Sequence, residues 1–365
     1  MNSLYKDYAD IDISMDLKNI DLILDPLTHA PHLKYLIENA LYYTLDNTTG
    51  DYMKGHYDIN TFISRFKFDY RKDIGLMDQD PDQKFNNLFI VIPLLSTVEK
   101  HQGPNYVKWM DFYTNLYNTY KPKITGKIIL LDDHDYCYEP DRYADRLGIK
   151  YDIILKRTYN KNSENKNEKT RVSSYPFIMC TNNDPMYELF NQDHGPNNTS
   201  YRTDRIVWAG SLYLHDERFD DIVEYSDRLG TYNRFNQKYP DIVETIKVSY
   251  DEYMNKISEF KYILDLRGAG RLNKRLYEIL QTNSLLIGEK IDIYWPFEDG
   301  DKFSDECFFE QGDIDDFYNK YKALENSPDL YIKCLNNQKY IAQKYFNNKW
   351  IGEYISKIVN LKCKM

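Results

Sequence analysis

A chain of 365 residues can enclose two hydrophobic cores, and a formal charge of −10 with no basic stripe to offset it excludes a nucleic-acid scaffold. No apolar run approaches the roughly 20 residues of a membrane span, and the acidic start MNSLYKDYADID is unlike a secretory signal. Cys137, Cys180, Cys307, Cys334 and Cys363 are scattered without CxxC spacing, which predicts neither disulfide framework nor zinc site and suits a reducing, cytoplasmic compartment.

In chain order, a strand is expected at 20–24, followed by a loop over 25–31 that carries His29 and a helix near 32–43. LFIVIPL over 88–94 reads as a buried strand, and the tyrosine-rich stretch 106–120 as an amphipathic helix. KIILL (127–131) and YDIIL (151–155) are two more strands, the first ending in Asp132-Asp133-His134-Asp135 and the second in Lys156-Arg157. Strands separated by helix-length segments predict parallel β-α units. YNKNSENKNEK (159–169) is polar and low in complexity, so a loop is expected there. NQDHGPNNTSYRT (191–203) is rich in turn formers and poor in aliphatics, as an interdomain linker is. A second series follows: strand 205–209 with Gly210-Ser211 in its turn, helix 217–229, a buried strand around 262–266, strands at 284–287 and 307–309, and helices over 313–324 and 328–359. The aromatics of the last stretch are expected in the core. Trp295-Pro296-Phe297 suits either core packing or stacking on a base or sugar.

The stretch KYILDLRGAGRLNKRLYE (261–278) is the most informative, because it joins a buried strand to a glycine turn and a basic helix start. Gly268 and Gly270 permit positive φ and close approach of the backbone to a ligand. Arg267, Arg271 and Arg275 place guanidinium forks where an anion, above all a phosphate, is favoured. Glu278 follows Arg275 on the same helical face and would accept hydrogen bonds from ribose hydroxyls. The third glycine of the dinucleotide fingerprint and the Lys-Ser/Thr ending of a Walker loop are both missing. A structural Arg275–Glu278 pair is the competing reading. Together these features predict a nucleotide-diphosphate site.

Across the second half the sequence resembles the C-terminal domain of GT-B glycosyltransferases, notably the KDEL-domain, capsule-associated O-glucosyl and xylosyl transferases and the exostosin-like and CgeB-like groups. The resemblance is carried by Trp208-Ala209-Gly210-Ser211, Arg218-Phe219-Asp220, Val248-Ser249-Tyr250-Asp251-Glu252-Tyr253, Phe260-Lys261-Tyr262-Ile263-Leu264-Asp265, Arg275-Leu276-Tyr277-Glu278 and Gly312-Asp313-Ile314-Asp315-Asp316-Phe317. It departs from the pattern at Asn273, Lys274 and Asn283. It implies an α/β GT-B fold: two Rossmann-like, doubly wound domains, at 1–195 for the acceptor and 204–345 for the nucleotide sugar, with 346–365 packing back on the first. The donor would meet Gly210, Ser211, Arg218, Gly268, Gly270, Arg271, Arg275 and Glu278, with no metal or further cofactor. A UDP- or GDP-linked sugar would pass to a glycan or glycoprotein hydroxyl.

Inverting transfer needs a group to take the acceptor's proton. Asp133 and Asp135 at a strand end are the candidates, with His29 next. Capping of the turn by Asp132 or Asp133 is the bland reading for at least one of them. A non-catalytic binding protein and a sugar-nucleotide epimerase share this shape and remain alternatives.

Overall fold

The structure, a computed structural model, describes residues 22–24, 41–45, 52–56, 84–91, 114, 117–132, 148–156, 173–176, 203–210, 228–267, 274–291, 293, 295–297, 299–300, 303, 305–346 and 354. They form two sheets, and the fold is α/β.

The first sheet contains β1 (Leu22–Leu24), β2 (Leu41–Leu45), β3 (Tyr52–His56), β4 (Leu88–Val91), β5 (Ile128–Asp132), β6 (Ile153–Lys156) and β7 (Ser173–Pro176). Their order is β3-β2-β1-β4-β5-β6-β7, and every pair is parallel except β2 with β3. Successive buried residues such as Ile129-Leu130 and Ile153-Ile154-Leu155 show why: a central parallel strand is covered on both faces and cannot alternate apolar with polar. β2 stands where the sequence suggested the end of a helix. Its Tyr-Tyr-Thr centre favours extended backbone, and two neighbouring strands supply its ladder bonds.

The second sheet holds β8 (Thr203–Ala209), β9 (Val243–Ile246), β10 (Phe260–Asp265), β11 (Leu285–Glu289) and β12 (Phe308–Phe309), all parallel, in the order β12-β11-β10-β8-β9. Counted from β8 this is 2-1-3-4-5 read from the β9 edge, a doubly wound order that reverses direction between β8 and β10. Among the described residues five α-helices accompany it: α1 (Arg228–Lys238), α2 (Tyr250–Ile257), α3 (Lys274–Leu280), α4 (Ile314–Asn326) and α5 (Pro328–Tyr345). Of the helix expected over 217–229, residues 217–227 lie outside the described residues, while Arg228 and Leu229 open a helix that ends at Lys238; Thr203 of the expected linker already belongs to β8. Asp313 caps α4 by accepting from the amides of Asp315 and Asp316, and Ser327 accepts from Leu330 at the start of α5.

The core follows from the strand sequences. Ile206, Val207 and Trp208 of β8, Tyr262, Ile263 and Leu264 of β10, and Leu285, Leu286 and Ile287 of β11 are all buried. Tyr262 meets Tyr321 of α4 and Tyr331 of α5 edge-on. β12 pairs only with Gly288 and Glu289, so Gln338 of α5 completes β11, accepting from Leu286 N at 2.9 Å and donating to Ser284 O at 2.9 Å. Trp295 and Phe297 pack against Phe303, Tyr345 and Phe346, which settles their role as core. The aromatics Tyr331 and Tyr345 of α5 are buried as expected, whereas Tyr340 is exposed and bonds Asp299.

Candidate functional site

Open α/β sheets bind ligands beyond the carboxyl ends of the strands, where the strand order reverses. In the second sheet that point lies between Ala209 at the end of β8 and Asp265 at the end of β10.

β8 delivers Trp208, wholly buried, and then Gly210 at φ 155°. α3 delivers Arg275 and, three residues on and so on the same face, Glu278. The Arg275 guanidinium lies over Trp208, with Cζ 3.8 Å from the ring centroid. Its Nη1 stands 4.0 Å from Asp265 Oδ1, an ion pair too long for a hydrogen bond. Nε and Nη1 are buried and have no hydrogen-bond partner. A Cβ on residue 210 would lie 2.7 Å from Arg275 Cζ and collide with Nη2, so the glycine is what lets the guanidinium reach the strand end.

Tyr253 of α2 completes the group. Its hydroxyl is buried and unpartnered, like Trp208 Nε1. Burial pushes the Tyr253 phenol well up, the Glu278 and Asp265 carboxylates push it the same way, and Arg275 opposes them. The phenol therefore keeps its proton, with an O–H to donate and an oxygen able to accept.

Around this centre other charged groups hold the frame. Arg228 of α1 donates from Nε to Arg267 O at 2.9 Å and from Nη2 to Leu266 O at 3.3 Å, fixing the chain after β10. Glu289, at the end of β11, accepts from the amides of Arg267 (2.7 Å) and Gly312 (3.1 Å). Burial raises its pKa, and the two amide bonds act against that rise.

Of the residues expected to hold a donor, Gly210, Arg275 and Glu278 lie together at the strand ends. Ser211, Arg218, Gly268, Gly270 and Arg271 lie outside the described residues, as do Asp133, Asp135 and His29. Arg267 is a correction. Its Nη1 donates to Gln311 Oε1 and its Nη2 to Lys290 O, both at 2.6 Å, so it fastens β11 and the turn before α4. Lys156 is buried beside the end of β5, paired in register with Asp132. Trp208, Tyr253 and Asp265 were within the stretches that carry the resemblance but had no role in it. The signal for Trp208 was a large aromatic one residue from the strand-end glycine; Tyr253 had none, since its place depends on how α2 packs on β8 and β10.

The sequence matches no protein-family model and no curated protein. Among solved structures it is similar to phage T4 BGT in complex with UDP-glucose, at 11% identity over 94% of this chain and 99% of that one, with a TM-score of 0.46. It is also similar to a TarM variant of S. aureus in complex with Fondaparinux, alpha-GlcNAc-glycerol and UDP, at 11% identity over 77% of this chain and 56% of that one, TM-score 0.44. A third is the GtfA/B complex, at 10% identity over 76% and 57%, TM-score 0.42. These three are glycosyltransferases of the GT-B class. At that distance the likeness carries nothing about the chemistry of this chain.

Proposed function

We propose that the protein is a GT-B glycosyltransferase that moves a sugar from a UDP- or GDP-linked donor to a glycan or glycoprotein hydroxyl. One observation supports this most: a buried guanidinium with unpaired N–H groups, stacked on Trp208 at the strand-order reversal of the second sheet. Guanidinium N–H groups can only donate, and the diphosphate of a nucleotide sugar offers acceptor oxygens and negative charge. In the transfer, the bond from the anomeric carbon to the diphosphate breaks and a bond to the acceptor oxygen forms. Arg275 meets the charge that collects on the leaving diphosphate. Glu278 accepts from the ribose. Asp133 or Asp135, which follow β5, or failing them His29, takes the acceptor proton in an inverting reaction. In this reading residues 204–345 hold the donor, 1–195 hold the acceptor, and 346–365 return to the first unit.

Titration calorimetry of UDP and GDP against the wild type and Arg275→Ala tests the donor site. Removing one charge-assisted hydrogen bond costs about 1.5–3 kcal/mol, roughly a tenfold to hundredfold loss of affinity. Glu278→Gln is expected to be milder. Equal affinity in a folded Arg275→Ala protein sinks the assignment. Product analysis separates the alternatives: a transferase makes a new glycoside, an epimerase an isomeric donor, and a binding protein neither.

A further inference from the structure

We infer that Tyr253 is a further donor-recognition residue, its hydroxyl giving a hydrogen bond to the same diphosphate that Arg275 holds. This deepens the proposed function and rests on it. The hydroxyl is buried on α2, which packs against β8 and β10, and it has no partner. Two other buried donors in its neighbourhood are in the same condition: Arg275, at Nε and Nη1, and the Trp208 indole N–H. Every one of these groups is able to donate, and the indole and guanidinium cannot accept. The Tyr253 oxygen is thus the one acceptor among the three side chains, and it cannot serve all of the N–H groups that surround it. Two carboxylates adjoin the cluster, Glu278 and Asp265, and Asp265 at 4.0 Å from Arg275 is in ion-pair range but does not bond to it. Buried polar groups are as a rule paired. A cluster of donors short of acceptors is what a site shaped for phosphate oxygens leaves when empty.

The alternative is that Tyr253 is an ordinary core tyrosine whose hydroxyl is merely stranded. Tyr253→Phe separates the two, because it keeps the ring and removes only the hydroxyl. An unpaired buried hydroxyl is unfavourable, so the apo variant should melt at or above the wild-type temperature. At the same time its Kd for UDP should rise about tenfold, the loss expected for a hydrogen bond to a charged group. Inorganic pyrophosphate should show the same direction of change, since the bond is to the diphosphate and not to base or sugar. Unchanged UDP affinity in Tyr253→Phe, with affinity lost in Arg275→Ala, overturns this inference and leaves the proposed function standing. A lower melting temperature of the apo variant also overturns it, because the hydroxyl would then have a partner within the protein. A wild type that binds neither UDP, GDP nor pyrophosphate removes the proposed function and the inference together.

Discussion

At the scale of single residues, the site depends on an approach that no side chain other than hydrogen permits. Gly210 adopts φ 155°, a region L residues seldom enter, and any Cβ there would collide with the Arg275 guanidinium. Gly210→Ala is therefore expected to act through Arg275. Its UDP affinity should fall about as far as that of Arg275→Ala. The double variant should be no weaker than the worse single one, because two residues acting through one contact are not additive. Calorimetric titration of the four proteins measures this. Independent, additive losses would mean that Gly210 serves the ligand by itself.

The arginines show what the sequence could and could not say at this scale. Arg267, Arg271 and Arg275 look equivalent in a basic stretch. What separates Arg267 from Arg275 is a partner far along the chain: Gln311 accepts from Arg267, whereas nothing accepts from Arg275 Nε or Nη1. Spacing within one segment carries no trace of such a contact.

At the scale of elements, the carboxyl end of the second sheet is tied together by Glu289, whose two oxygens hold the chain after β10 and the turn before α4. Burial raises its folded pKa above the ordinary value of about 4.3. Between those two pH values the folded state keeps a proton that the unfolded state has released. Stability therefore falls as pH rises through that window and is greatest below it. Urea unfolding of the wild type and Glu289→Gln over pH 4 to 8 checks the sign. The wild type's advantage over the variant should shrink with rising pH and then level off. An advantage that grows with pH would show the carboxylate to be stabilised, not penalised, by its surroundings.

The central strands were legible because burial on both faces leaves continuous apolar runs, as in KIILL, YDIIL, RIVWA and KYIL. Of the four edge strands only β12, expected at 307–309, was legible. β3 reads Tyr-Met-Lys-Gly-His and β7 Ser-Ser-Tyr-Pro, and in β9 only Val243 is fully buried. Edge strands take their conformation from the neighbour they pair with, and periodicity cannot report that.

At the scale of the whole molecule, the two series of apolar runs foretold two parallel sheets but not their strand order. Order is a matter of non-local pairing: β8 meets β10 across the whole length of α1, β9 and α2. Yet that order places the reversal between β8 and β10 and so makes the ends of those two strands, with Gly210, Asp265 and Arg275, the place to look for a ligand. The first sheet reverses between β1 and β4, and the segment carrying His29 follows β1 directly, though it lies outside the described residues.

The proposed nucleotide diphosphate binds at the carboxyl ends of β8 and β10. Amide hydrogen exchange with and without saturating UDP tests it most directly, because protection reports where a ligand orders or covers the backbone. Slowed exchange is expected in peptides spanning 207–212 and 263–278, with the effect reduced in Arg275→Ala. UDP binding that leaves those two segments unchanged and protects only the first sheet would contradict it.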